Sequence, residues 1–106
     1  MRYSDYTVEQ LREELGQLKE ASQRAEQLGD IQEVVIVERK MQMVASYLLN
    51  PEDYEIGEIY EIQGDPGYTF KISFLEGVMA WGHRVNLLGN EEEKQTALPI
   101  SILQKK

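Results

Sequence analysis

Hydrophobic residues recur every three to four positions as far as Asn50-Pro51, and every second position after it. A period near 3.6 is typical of an amphipathic helix, and a period of two is typical of a half-buried strand. The residue before a proline is disfavoured in the helical region, so this dipeptide is expected to end a helix. The pattern predicts an α+β protein with a helical hairpin over residues 1–50 and a β domain over residues 51–106.

The helical part contains two amphipathic stretches that meet at Gly29-Asp30. Thr7 followed by Gln10 has the spacing of a capping box, and Asp30 is a suitable cap for the second helix. A link this short predicts an antiparallel hairpin. The two apolar stripes expected to face each other are Val8, Leu11, Leu15, Leu18, Ser22 and Ala25, and then Val34, Val37, Met41, Val44 and Leu48.

Alternation in the β domain predicts strands over residues 57–62, 68–74 and 78–85, and two shorter strands after residue 94. Five short strands with one helical turn near the end are typical of a small SH3-like β-barrel. An open antiparallel sheet capped by the hairpin is the alternative.

A two-residue turn at Glu76-Gly77 would place Phe74 opposite Met79 and would fix which side chains share a face. Phe74 and Trp81 are then the strongest core candidates. The predicted inward face consists of Tyr68, Phe70, Ile72, Phe74, Met79 and Trp81, and the predicted outward set is Ala80, Gly82 and Arg84.

The charge balance is acidic, with a formal net charge of −8. Residues 1–50 hold six basic and nine acidic residues, and residues 51–106 hold five and ten, which gives −3 and −5. Such a chain repels phosphates overall, so nucleic acid is a disfavoured partner. Arg39-Lys40 and Lys105-Lys106 are the small cationic clusters that depart from this balance.

The chain has no cysteine, which excludes disulfides and thiolate metal sites. No apolar run approaches the roughly 20 residues of a membrane span. The polar start of the sequence is unlike a signal peptide. A cytoplasmic protein that does not insert into membranes is expected.

Segments spread over nearly the whole chain resemble the YfhH-like family of small proteins from Gram-positive bacteria. These segments are residues 2–4, 25–29, 38–41, 50–54, 57–60, 74–82 and 98–101. The resemblance implies a long N-terminal helical hairpin followed by an SH3-like barrel. It brings no catalytic residues, because no biochemical role is established for the family.

The candidate binding residues are the aromatic residues near predicted strand ends and the one histidine. Tyr54, Tyr60 and Tyr68 are expected to be exposed there, and such rings commonly hold peptides or bases. His83 is the only histidine. It has no serine, cysteine or paired carboxylate at a suitable spacing, so a structural role is favoured over catalysis.

These observations favour a non-enzymatic protein-interaction module that binds a protein partner through the aromatic residues or the hairpin. A nucleic-acid-associated regulator, by analogy of fold, is the alternative, and a small enzyme using His83 is the second alternative. No catalytic residue, metal ligand or cofactor is predicted. Surplus apolar positions on the helices must pack on the β domain or on a second copy, so a homodimer is a further expectation. They are Ala21, Leu28, Val35, Ile36, Met43 and Tyr47.

Overall fold

Two helices come first in the computed structural model, which describes residues 2–105. Helix α1 spans Val8–Gln27 and helix α2 spans Ile31–Tyr47. Short 3-10 turns cover Tyr3–Asp5 and Pro51–Asp53. The chain divides into a helical unit, Met1–Leu49, and a sheet unit, Asn50–Lys106.

Both helices begin as the sequence predicts, and α1 also ends as predicted. Helix α2 already ends at Tyr47, before Asn50-Pro51, and Asn50 instead caps the following 3-10 turn by accepting the Glu52 N–H. The Thr7 hydroxyl accepts the Gln10 N–H at 3.1 Å, and the Gln10 side chain accepts the Thr7 N–H at 2.9 Å. After α1, Gly29 adopts a φ of +70°, and the N–H of Asp30 donates to the Ala25 carbonyl at 2.9 Å. This is a Schellman ending, which Gly tolerates without a Cβ clash. Asp30 then caps α2 by accepting the Glu33 N–H at 3.1 Å.

The predicted stripes form the core of the helical unit. Leu11 and Leu18 of α1 cluster with Val37 and Val44 of α2, and all four are buried. Leu15, Ala21, Met41, Tyr47 and Leu48 pack against this cluster. Val8, at the start of the first predicted stripe, is exposed and does not join this core. Among the surplus positions, Leu28, Val35 and Ile36 are exposed in the single chain, and their packing on a second copy stays a prediction.

Five strands make up the sheet unit, and every pair is antiparallel. Their bounds are β1 Ile59–Ile62, β2 Tyr68–Glu76, β3 Met79–Asn86, β4 Thr96–Pro99 and β5 Leu103–Lys105, with a 3-10 turn at Ile100–Ile102 between the last two. The order across the sheet is β4-β3-β2-β1-β5. Within residues 2–105 the sheet is open, with β4 and β5 as its edges, so the α+β class is confirmed and closure into a barrel is not.

Strand β2 changes sidedness at Ser73. Ile72 lies opposite Gly82 and Phe74 lies opposite Trp81, so Ser73 is the extra residue of a β-bulge. Before the bulge, Ile72 is buried; after it, Phe74 is 39% exposed. One extra residue moves every following side chain to the other face. The prediction that Phe74 belongs to the core is therefore wrong.

The same bulge reverses the predicted faces of β3. Ala80 is fully buried and Gly82 is buried, although both were expected to point outward. Met79 and Trp81 are half-buried and lie with Phe74 on the opposite face. The expectation that Trp81 joins Ile72 on one inward face is therefore also wrong.

The turn between β2 and β3 lies one residue later than predicted. Glu76 is opposite Met79, so the two turn residues are Gly77 and Val78. Gly77 has a φ of +59° and Val78 has a negative φ, which is the combination that a type II′ turn requires. The predicted pairing of Phe74 with Met79 is consequently replaced by the pairing of Phe74 with Trp81.

Membrane insertion finds no support in the helices that the structure describes. Between residues 2 and 105, no helix combines the length and the apolar character that a membrane-crossing segment needs.

Candidate functional site

The outward side of the sheet carries two rows of side chains that together extend over four strands. Trp81 of β3 lies between Phe74 of β2 and Ala97 of β4. In the next row, His83 lies opposite Lys71, and Lys71 lies opposite Ile59. Met79 completes this surface. We call the set Ile59, Lys71, Phe74, Met79, Trp81, His83 and Ala97 the outer sheet face.

An aromatic stack occupies the centre of the outer sheet face. The rings of Phe74 and Trp81 are nearly parallel, with an interplanar angle of 4° and centroids 5.9 Å apart. This is an offset stacked pair, an arrangement that aromatic rings favour. Because Phe74 is 39% exposed and Trp81 is half-buried, the pair presents apolar area to solvent.

His83 is held in one tautomer at the border of the same face. Its Nδ1 lies 2.8 Å from the backbone carbonyl oxygen of Glu92. A carbonyl oxygen only accepts, so Nδ1 carries the proton and donates it, which leaves Nε2 as the unprotonated nitrogen of the neutral ring. Next to it, the Lys71 ammonium pairs with the Glu91 carboxylate at 3.2 Å. The loop that carries Glu91, Glu92 and Glu93 thus borders the outer sheet face.

The structure brings Tyr54 and Tyr60 together. Their ring centroids are 5.6 Å apart. Tyr60 is only 1% exposed, and its hydroxyl accepts the Glu55 N–H at 2.8 Å. The expectation that Tyr60 is exposed is wrong, because its position on β1 points it into the sheet unit, where the hydroxyl fixes the chain that precedes β1.

Tyr54 remains half-buried beside Tyr60. Burial raises the pKa of the Tyr54 phenol above its ordinary value of 10.0, and the nearby Tyr60 and Asp53 raise it further. A raised pKa favours the neutral phenol, which can both donate and accept a hydrogen bond at physiological pH.

Tyr68 lies at the start of β2 and lines a cleft of about 320 Å³ with Asp65 and Leu87. The Arg84 guanidinium sits 5.9 Å from the Tyr68 ring centroid and pairs with the Asp65 carboxylate at 3.0 Å. Tyr68 is thus part of a half-buried ion-pair and cation–π group. The four predicted site residues fall in three separate places, and their binding role stays a prediction.

The helical unit has its own concave surface, which we call the basic groove. It has a volume of about 580 Å³ and is open to solvent. Its walls are the chain before α1 and one face of α2, and its lining consists of Arg2, Tyr3, Ser4, Arg39, Lys40, Met43 and Tyr47. No acidic residue is among these lining residues.

Aromatic contacts fix the wall formed by the N-terminal chain. The Tyr3 ring meets the Tyr6 ring edge-on at 5.3 Å and the Tyr47 ring at 6.5 Å. Burial raises the pKa of the Tyr3 phenol, with smaller contributions from Glu14 and Tyr6. The segment around Tyr3 is therefore held against α2 by ring packing.

Sequence reasoning missed both surfaces for different reasons. The outer sheet face was missed because the bulge at Ser73 has no clear sequence signal. For the basic groove a partial signal existed, since Arg39, Met43 and Tyr47 are spaced four residues apart and must share a helix face. The contribution of Arg2 depends on a long-range contact that spacing does not reveal.

Two comparisons with known proteins bear on this chain. Residues 1–104 match the profile of a family described as "Protein of unknown function (DUF1811)". The chain is also similar to the "Uncharacterized protein YfhH" of Bacillus subtilis. The two are 47% identical over 105 residues, which cover 99% of this chain and 96% of that protein.

Proposed function

Because this chain belongs to the DUF1811 family of unknown function, we propose its function from its own surfaces and not from a relative. The proposed function is that of a non-enzymatic module that binds a protein partner through the outer sheet face. Membership confirms the family resemblance noted in the sequence. The observation that carries the proposal is the exposed Phe74–Trp81 stack. A cytoplasmic location belongs to the proposal and is supported by the lack of cysteine.

The proposal includes an SH3-like topology for the five β strands. Support comes from the order β4-β3-β2-β1-β5 and from the single 3-10 turn at Ile100–Ile102 between the two edge strands. Such small β units commonly present aromatic side chains to extended peptides. This part of the proposal rests on fold analogy. The binding surface is identified instead from the exposed side chains.

The aromatic stack is suited to hold an apolar anchor of a partner. Tryptophan is enriched among residues that dominate binding energy, and a half-buried ring loses little conformational freedom on binding. Trp81 is flanked by Phe74 and Ala97, which lie opposite it on the two adjacent strands. The stack is therefore a preformed apolar platform.

The charged residues next to the platform indicate the charge of the partner residues that flank the apolar anchor. Lys71 is already paired with Glu91, whereas Glu92 and Glu93 are exposed acidic residues in the same loop. Residues 51–106 carry a net charge of −5. Opposite potentials across an interface speed association and select partners. The proposed partner segment therefore has an apolar anchor flanked by lysine or arginine.

The two alternatives have less support on this surface. For an enzyme, His83 would need a second functional group, and within residues 2–105 the hydrogen bond found for its ring goes to a backbone carbonyl. For nucleic acid, the aromatic stack could hold a base, but the acidic loop beside it repels phosphates.

The experiment uses Trp81 as its own reporter, because it is the only tryptophan in the sequence. A photo-reactive phenylalanine analogue at position 74 is used in cells to identify a partner by covalent capture. Binding of the purified partner to the purified protein is then followed by Trp81 fluorescence, which shifts to shorter wavelength when the ring loses contact with water. The proposal predicts this shift and a Kd weakened at least about tenfold by Phe74→Ser.

The matched control is Leu88→Ser, which removes an exposed apolar side chain elsewhere in the sheet unit. The proposal is contradicted if both variants weaken binding equally, or if binding leaves the Trp81 spectrum unchanged. Tight binding of duplex DNA at physiological salt, lost in Phe74→Ser, would instead favour the nucleic-acid alternative.

A further inference from the structure

We infer that the basic groove of the helical unit is a second binding site, independent of the outer sheet face, and that it takes an acidic segment of another protein with one apolar anchor. The site lies within the helical unit alone, between the chain around Tyr3 and the face of α2 that carries Arg39 and Tyr47.

Within the part of the chain that the structure describes, the cations of the groove take part in no ion pair. Among residues 2–105, the ion pairs shorter than 4.0 Å leave out Arg2, Arg39 and Lys40. Three of the six basic residues in positions 1–50 thus line one groove in a protein whose net charge is −8. Glu14 is close enough to affect Tyr3 but forms no such pair with the three cations. A ligand with carboxylates can therefore form the close ion pairs that these cations do not make among the described residues.

The other lining residues provide apolar contact beside these charges. Tyr3, Met43 and Tyr47 are half-buried in the lining of the groove, so part of each side chain is available to a ligand. Tyrosine and arginine are enriched at the centres of protein interfaces, and methionine adapts its shape to different apolar partners. The combination fits carboxylates that reach Arg39 and Lys40 while an apolar side chain packs on the rings.

The charges and the open shape distinguish between possible occupants. Arg2, Arg39 and Lys40 are all exposed, so a small free anion bound there would keep most of its water and gain little. An extended peptide makes many contacts at once along a groove of this kind. A nucleic acid would bring many phosphates against a chain of charge −8, and two copies of that charge repel each other. An acidic peptide segment of a different protein brings fewer negative charges than a nucleic acid and places them against the three cations of the groove, so it is the occupant that we infer.

The experiment measures binding of a defined probe to the full chain. The probe is a short fluorescein-labelled peptide of glutamate residues with a central leucine, and its lysine counterpart serves as the reversed-charge probe. Fluorescence anisotropy at low and at high salt gives the Kd. We expect the glutamate probe alone to bind, with a Kd that rises with salt and that rises at least about tenfold in the double variant Arg39→Glu/Lys40→Glu.

The control is Arg12→Glu/Lys19→Glu, which changes the net charge by the same amount at exposed positions of α1. It should leave the Kd within about twofold of the unchanged protein. Circular dichroism establishes that both double variants fold, and the neutral pair Arg39→Gln/Lys40→Gln gives a second measurement if the charge reversal unfolds the hairpin.

Several results would overturn the inference. They are the absence of glutamate-probe binding, an equal loss of binding in the control variant, and equal or tighter binding of inorganic phosphate or duplex DNA at the groove. Light scattering that shows a dimer dissociated by Arg39→Glu/Lys40→Glu would assign the groove to a second copy instead. Because Phe74→Ser leaves this groove intact, its effect on the outer sheet face and the effect of the Arg39/Lys40 variants can be told apart.

Discussion

Phe74 and Trp81 stack with almost parallel rings on the side of the sheet opposite to Ile72 and Ala80. The arrangement exposes two large aromatic residues that an uninterrupted alternation would have buried. An exposed stack contributes to stability mainly through ring–ring contact, whereas a buried ring contributes through its whole area. The two sides of β2 should therefore respond differently to the same substitution.

We expect Phe70→Ala to lower the free energy of unfolding by about 3–5 kcal/mol, because this ring is fully buried. Phe74→Ala should cost only about 1 kcal/mol, the value of an aromatic pair on a partly exposed surface. Urea unfolding followed by circular dichroism measures both. Equal costs for the two substitutions would contradict the change of sidedness between them.

A second prediction concerns Gly82, which lies against the backbone of Lys71 across the β2–β3 pair. A Cβ at Gly82 would overlap the Lys71 carbonyl oxygen and come within 2.9 Å of its carbonyl carbon. Backbone atoms cannot move aside as a flexible side chain can, so Gly82→Ala should destabilise the protein by about 3 kcal/mol. Thermal and urea unfolding provide the measurement.

Gly16→Ala is the matched control for Gly82→Ala. Gly16 lies inside α1, and apart from the helix's own backbone a Cβ at this position would meet open space. Alanine is the better helix former by about 1 kcal/mol, so this substitution should raise stability. A loss of stability at both glycines would show that the Gly82 result reflects something other than the close approach of Lys71.

A third prediction tests the buried hydroxyl of Tyr60. Tyr60→Phe removes the acceptor of the Glu55 N–H without changing the volume of the ring, and leaves that N–H without its partner. The expected cost is about 1–2 kcal/mol. Tyr68→Phe is the control, because its ring keeps the contact with the Arg84 guanidinium and its stability should be unchanged. If the two variants lose the same stability, the hydrogen bond to Glu55 carries no special weight.

A fourth prediction follows from the raised pKa of the Tyr54 phenol. The folded protein binds this proton more tightly than the unfolded chain does, so the stability that results is fully present below pH 10.0 and is lost as pH rises through the raised pKa. Alkaline unfolding should therefore begin later in Tyr54→Phe. Ultraviolet titration of tyrosinate should show the loss of one late-titrating group in this variant.

The contribution of Asp53 to that shift can be separated from burial. Asp53→Asn removes the neighbouring negative charge and should move the Tyr54 titration to lower pH, while burial and Tyr60 still hold it above 10.0. Glu52→Gln removes an adjacent charge that is not a cause of the shift and serves as the control. An unchanged titration in Asp53→Asn would leave burial and Tyr60 as the causes.

Local signals were sufficient for the helical unit. The capping residues Thr7 and Asp30 act on the backbone within three positions, so their spacing in the sequence determines their geometry. The stripes around Leu18 and Val37 follow from helix periodicity. Strand existence was predictable in the same way, and the observed strand ends lie within about two residues of the predicted ones for β1 to β3.

The alternation of apolar residues alone does not determine which face of each strand is buried. The run from Tyr68 to Phe74 alternates without interruption in sequence, yet the chain leaves that period at Ser73. Close approach at Gly82 and the demands of the turn at Gly77 act across strands, and neither changes the residue pattern of β2 itself. Trp81, which alternation places on one face with Ile72, lies instead with Phe74 on the other face and is half-buried.

Because Ser73 is the extra residue of the bulge, the number of residues in β2 decides which side chains point inward, whatever the types of those residues. Because Ser73 is exposed, we expect a substitution there to leave Ile72 inward and Phe74 outward. Deletion of Ser73 would instead change which face of the sheet the neighbouring side chains occupy. It would turn the Phe74–Trp81 pair toward the interior or Ile72 toward solvent. Selection can therefore vary the type of side chain at this position freely, but it must hold the number of residues between Ile72 and Phe74 constant for the exposed stack to persist.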